Sequence, residues 1–277
     1  MRYFVRFSYK GTPFHGSQRQ SSGAVTVQEV MEHAFSTILR RDVALTFAGR
    51  TDAGVHAREM YAHFNGPAVP PQQEGLTGED LQYAVNGVIM RLNGLLPESI
   101  AVHAIVPVAD EANARFSAVS RTYEYHTIDY KDPFSVNLAT SIRPGLDFDA
   151  MNKAAVHLLG RQDFMSFSKT KTDVKTTFCD ISRAEWVVSE DGHRAVFTIT
   201  ANRFLRNMVR AIVGTLFDVG RGKISEEDFI AVIADKNRCS AGESAPAEGL
   251  YLTHVEYPEE IFTDKNKTAF AHSEEKS

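Results

Sequence analysis

The chain has 277 residues, 43% apolar and 23% charged, with two cysteines; this is the balance of a globular protein of one large or two modest domains and excludes disordered, collagenous and disulfide-scaffold classes. Net charge is −5, so any nucleic-acid surface must come from local clustering of cations rather than from their total. No run approaches the roughly 18 apolar residues of a membrane span, the opening MRYFVRFSYKGTPF has no apolar signal core, and Cys179 and Cys239 form no CxxC pair, which together point to a reducing, cytoplasmic setting.

Taken in chain order, residues 2–9 alternate as a strand, with Tyr3, Val5 and Phe7 opposite Arg2, Phe4 and Arg6. An i, i+3, i+4, i+7 stripe from Val27 to Leu39 predicts a helix, with Thr26 and Glu29 as its capping box. Strands follow at 43–49 and 58–65, a helix at 78–89 capped by Thr77, and a strand at 99–107. The second part gives strands at 120–129, 178–188, 193–201 and 250–256. Its helices fall at 149–159, stopped by Gly160, at 202–219, and at 226–235, capped by Ser225. The order strand, helix, strand, strand, helix, strand thus occurs twice, the second time with additions. That is the ferredoxin-like βαββαβ unit. The expected class is α+β: two such halves, 1–107 and 108–257, joined into one long, mainly antiparallel sheet with helices on one face. Residues 258–277 read as a polar tail.

Four segments concentrate chemistry. Gly49-Arg50-Thr51-Asp52-Ala53-Gly54-Val55-His56-Ala57 lies between two strands and places a cation, a carboxylate and an imidazole beside glycines that admit close backbone approach. It also reads as a plain turn in which Asp52 bonds its own backbone. Segment 202–223 holds Arg203, Arg206, Arg210, Arg221 and Lys223 against Asp218 alone. The spacings of three and four put the first three on one stripe of the helix expected from 202, suited to phosphate or carboxylate pairing, or simply to solvation. Lys169, Lys171 and Lys175 form a further basic cluster that reads as a solvated loop or as phosphate contacts. In Arg121-Thr122-Tyr123-Glu124-Tyr125, Tyr123 and Tyr125 share a face, as a base-stacking platform or as core. No zinc, P-loop, dinucleotide or nucleophile-elbow motif occurs, so a zinc site, ATP use, nicotinamide use and serine hydrolysis all lose support.

The combination resembles the tRNA pseudouridine synthase family of the TruA type. The resemblance is carried by GRTDAGVHA at 49–57, LPESIAV at 96–102, ARFSA at 114–118, RTYEY at 121–125, NRFLRNMVRAIVGTLFDVG at 202–220 and AEGLYLTHVEY at 247–257. It implies two ferredoxin-like halves, no cofactor, a homodimer with tRNA across both copies, and conversion of uridines 38, 39 and 40 of the anticodon arm to pseudouridine. By the same resemblance Asp52 is the catalytic aspartate, Arg50 its loop arginine, Tyr123 the active-site tyrosine and Arg210 the basic partner of the aspartate. The basic clusters, with Arg203, Arg206, Lys169 and Lys171, become candidate RNA contacts. The chain departs from the family at Lys10, Ser17 and Asn113, in segments that contact RNA by analogy. Two competing readings are a catalytically silent RNA-binding module and a metal-dependent hydrolase using Asp52, His56 and His63.

Overall fold

The computed structural model describes residues 1–20, 23–169 and 176–262. It is an α+β protein in which, among the described residues, ten strands belong to one mostly antiparallel sheet and five α-helices accompany them. The chain divides into two compact units, Met1–Val119 with the segment from His254 onward, and Ser120–Thr253.

The first unit runs β1 (Arg2–Tyr9), α1 (Val27–Leu39), β2 (Thr46–Phe47), β3 (His56–Asn65), α2 (Gly78–Leu95) and β4 (Ile100–Val108). Its strand order is β4-β1-β3-β2, the split βαβ arrangement of the ferredoxin-like unit. Val5 of β1 sits between Ala62 and Ile105, antiparallel to both neighbours. The ring of Phe35 on α1 packs on Phe64 with centroids 5.6 Å apart, so this helix covers the face that carries Tyr3, Val5 and Phe7. Phe4 points the other way yet is fully buried, because Tyr257 and Phe262 lie against its ring. The capping box at Thr26 and Glu29 forms with both of its hydrogen bonds, a contribution of about 1 kcal/mol.

Two elements differ from expectation. The strand expected at 43–49 shrinks to Thr46–Phe47. The backbone of Leu45 is instead taken by α1 side chains: its N–H donates to Glu32 Oε1 at 2.9 Å and its carbonyl accepts from Gln28 Nε2 at 3.0 Å. Helix α2 runs on past 89 to Leu95, since its apolar stripe continues through Leu92, which is buried.

The second unit runs β5 (Ser120–Ile128), β6 (Thr140–Ser141), α3 (Phe148–Val156), β7 (Gly160–Asp163), β8 (Phe178–Val188), β9 (Arg194–Ala201), α4 (Met208–Gly220), α5 (Glu226–Asp235) and the first part of β10 (Leu250–Glu256), up to Thr253. Leu250–Thr253 of β10 stand beside β5, and the order continues β5-β9-β8-β7. This is again the ferredoxin-like order, with β7 added at the edge and β6 paired in parallel to β5. Trp186, Phe197 and Phe217 stack through the core, with Trp186 5.1 Å from Phe197 and 5.8 Å from Phe217.

The helix expected from 202 begins only at Met208. Asn207 has φ of 66°, a left-handed conformation that no α-helix can run through. Before it, Asn202 is tied to Asp180 by its N–H at 3.1 Å and its Oδ1 at 2.9 Å. Arg203 and Arg206 therefore lie in the approach to α4, and only Arg210 is helical. The single arginine stripe does not form.

Candidate active site

In the first unit the 49–57 segment becomes a loop clamped at both ends of Asp52. Thr51 is held on three sides. Its N–H donates to Ser17 Oγ at 2.9 Å, its carbonyl accepts from Ser17 N–H at 3.1 Å, and its hydroxyl pairs with Tyr9 Oη at 2.8 Å. Ser17 is wholly buried. After Asp52 the chain closes a turn in which Val55 N–H donates to the Asp52 carbonyl at 3.2 Å, with Gly54 at φ 81°, the value a type II turn requires at its third residue. The segment leaving β1 lies directly behind this turn. A Cβ on Gly11 would stand 2.0 Å from the Val55 carbonyl oxygen, so only glycine allows the two backbones to approach this closely. Gly11 N–H also donates to His56 Nδ1 at 3.0 Å.

Asp52 is half-buried at the start of this braced turn, and Arg50 is exposed two residues earlier. A short loop with buried hydrogen bonds on both flanks holds a carboxylate in one place at little further entropic cost. The histidines do not suit a metal. His56 and His63 each accept a backbone N–H at Nδ1, from Gly11 and from Ala114 at 3.1 Å. The neutral rings therefore carry their proton on Nε2 and present no second lone pair there. Burial, helped by Arg2, pushes the His63 pKa down to about 4, which fixes that ring as a neutral acceptor.

In the second unit Tyr123 on β5 is half-buried, its ring edge-on to Phe204 at 5.1 Å. Tyr125, expected as its equivalent on the same face, is core. Its hydroxyl bonds Thr140 at 2.7 Å and the Pro246 carbonyl at 2.9 Å, and its ring meets Phe217 of α4 edge-on. Burial pushes its phenol pKa well above the usual range. Arg210, on the first turn of α4, donates from Nε to the Ala245 carbonyl at 2.6 Å, and Ala245 N–H donates back to the Arg210 carbonyl at 2.9 Å. Arg206 and Lys169 are exposed, joined by Lys169 N–H donating to the Arg206 carbonyl at 3.1 Å. Lys171 and Lys175 lie outside the described residues.

Sequence reasoning missed two structural supports. Ser17 registers in the sequence only as a departure from the family, whereas it clamps the residue before Asp52. The segment 241–246 registers not at all, yet it lies along α4 and holds Arg210. The signal for the latter was Gly214, a helix-interior glycine: a Cβ there would come 1.7 Å from the Glu243 carbonyl oxygen. Asn113 caps its own turn, with Oδ1 accepting from Arg115 N–H at 2.9 Å and Phe116 N–H at 3.2 Å. Cys179 is a packing residue whose thiol burial pushes up to about 11, far from the range of a cysteine nucleophile.

Comparison with known proteins identifies the class and then the family. Residues 154–258 match the family model described as tRNA pseudouridine synthase. The tRNA pseudouridine synthase A of Bacteroides fragilis is 49% identical over 261 residues, 94% of this chain and 98% of that protein. The protein of the same name from Bacteroides thetaiotaomicron is 49% identical over 267 residues, 96% of this chain and 94% of the relative. That of Neisseria meningitidis is 38% identical over 265 residues, 93% and 92% of the two chains. The chain belongs to the tRNA pseudouridine synthase A family.

Proposed function

We propose that Asp52 is the nucleophile with which this protein converts uridines 38, 39 and 40 of the tRNA anticodon arm to pseudouridine. Membership of the family makes the protein an isomerase acting on tRNA uridine. The reaction breaks the N1–C1′ bond, turns the uracil and rejoins it to the sugar through C5. It consumes no redox equivalents and moves no group to a second molecule. A carboxylate serves by attacking C1′ or uracil C6 and then leaving, and it must be ionised and accurately placed for either route. The observation that carries this reading is the clamped turn around Asp52, which fixes the one carboxylate of the signature loop.

Arg210 serves the reaction as its basic residue, with Nε already committed to the Ala245 carbonyl. Tyr123 stacks on the extruded base and relays the proton lost from C5. The uridine must leave its stack, at a cost of a few kcal/mol, and Arg50 fills the vacated space or holds a phosphate. Arg203, Arg206, Lys169 and Lys171 contact phosphates. The enzyme works in the cytoplasm as a homodimer. The test is tritium release from tRNA labelled at uracil C5. Asp52→Asn should bind tRNA normally and turn over at less than about one percent of the wild-type rate, since losing a covalent nucleophile costs many powers of ten. Turnover above that level removes Asp52 as the essential group.

A further inference from the structure

The segment Ala241–Pro246 contains no strand or helix, yet it is pinned at nearly every position. Gly242 N–H donates to Thr215 Oγ1 at 3.0 Å, and that hydroxyl donates in turn to the Ala211 carbonyl at 2.8 Å. Ser244 Oγ accepts from two side chains: Asn207 Nδ2 at 2.6 Å and Arg238 Nη2 at 3.0 Å. Arg238 also donates from Nη1 to the carbonyls of Ala241 at 3.2 Å and Gly242 at 3.1 Å. Glu243 lies so close to α4 that only glycine fits at 214. Two residues on, Ala245 is the one that exchanges hydrogen bonds with Arg210.

These contacts have one common result. An arginine side chain has four rotatable bonds, and its guanidinium orientation is costly to fix. Here the Ala245 carbonyl fixes it at Nε, so the guanidinium plane follows wherever that carbonyl goes. The carbonyl's own position is set one residue earlier, at Ser244. Asn207 holds a left-handed φ of 66° at the start of the helix, and its amide reaches Ser244 from there. Strain of this kind persists where the surroundings over-determine it.

We propose that Ser244, gripped by Asn207 and Arg238, is a positioning residue for Arg210: the 241–245 segment is a fixed rail whose last carbonyl sets the direction of the guanidinium in the isomerisation. This rests on the assignment of Arg210 to the reaction, and adds that the arginine works only as oriented by the rail.

The experiment is single-turnover tritium release with tRNA labelled at uracil C5, alongside tRNA binding by filter retention and thermal unfolding. The variants are Ser244→Ala, Arg238→Met, Arg210→Lys, and Ser244→Ala combined with Arg210→Lys. Ser244→Ala and Arg238→Met should each lower the single-turnover rate roughly tenfold, because misplacement by a fraction of an ångström is enough, with tRNA affinity within twofold. In the Arg210→Lys background, Ser244→Ala should cost less than twofold more, because the rail then has no guanidinium to aim. A purely structural role for Ser244 predicts the same fold-loss in both backgrounds, or a loss of tRNA affinity, and either result overturns the proposal. So does a wild-type rate for Ser244→Ala while Arg210→Lys is impaired. If Arg210→Lys itself keeps the wild-type rate, the assignment of Arg210 to the reaction fails, and the positioning role falls with it.

Discussion

Gly11→Ala tests the idea that catalysis depends on how closely the β1 exit backs the catalytic turn. The added methyl would stand 2.0 Å from the Val55 carbonyl oxygen and 2.5 Å from its carbon. Both are backbone atoms, so no side chain can rotate away. Restoring ordinary contact, which begins near 3.4 Å, requires a displacement of about 1.4 Å of the turn relative to the β1 exit. The same movement stretches the Gly11 to His56 hydrogen bond. Overpacking of this size costs about 1–3 kcal/mol of stability, and misplacement of a reacting group by about 1 Å costs up to 10²-fold in rate. The expected result is a roughly 10²-fold slower single turnover with tRNA affinity within threefold, and a melting temperature lower by several degrees. Gly87→Ala is the control. It is a helix-interior glycine with nothing within 4 Å of the added Cβ, and the change should raise stability by roughly 0.5–1 kcal/mol without touching turnover. Turnover of Gly11→Ala within threefold of the wild type would refute the reasoning, because the turn would then tolerate a shift larger than catalysis allows.

Tyr123→Phe keeps the stacking face and removes only the hydroxyl; turnover should fall roughly 10²–10⁴-fold with binding preserved if the hydroxyl relays the C5 proton, and Tyr123→Leu should be worse, so wild-type turnover for Leu would make this tyrosine mere packing. His63 links stability to acid. Its folded pKa, about 4, lies below the ordinary 6.5, so the unfolded chain binds the proton more readily. Its contribution is present in full above pH 6.5 and is lost as pH falls toward 4, by roughly 1–3 kcal/mol. Denaturant midpoints for the wild type and His63→Gln should diverge above pH 6.5 and converge at pH 4, whereas parallel curves would contradict this. tRNA binding should weaken steeply with salt despite the charge of −5, and removal of one phosphate-contacting cation such as Arg206 should flatten the logarithmic slope by about 0.7–0.9; a wild-type slope near zero would exclude a broad phosphate track.

The sequence by itself determined the αβ order and most strand positions, because those follow from local periodicity: the 2–9 strand, the Thr26 capping box and the 226–235 helix with its Ser225 cap appear at the expected residues. It also singled out the candidate loop for the chemistry, since nine consecutive residues from Gly49 to Ala57 have a composition that a plain hairpin does not need. Tertiary structure decided the rest. The apolar stripe from Leu205 to Leu216 suggested one helix from 202. The left-handed Asn207 begins it at 208, because Ser244, distant in sequence, holds the Asn207 amide. Leu45 lay in an expected strand until two α1 side chains claimed its backbone. Tyr125 and Tyr123 look alike in an alternating strand, and only the neighbours packed on each decided which is core. Ser17 could not be read as a clamp, because its partner Thr51 is far along the chain. Local pattern fixes φ, ψ and facing direction over a few residues; a hydrogen bond between segments thirty or more residues apart leaves no period in the sequence, and the turn at Asp52 and Arg210 are both held by bonds of that kind.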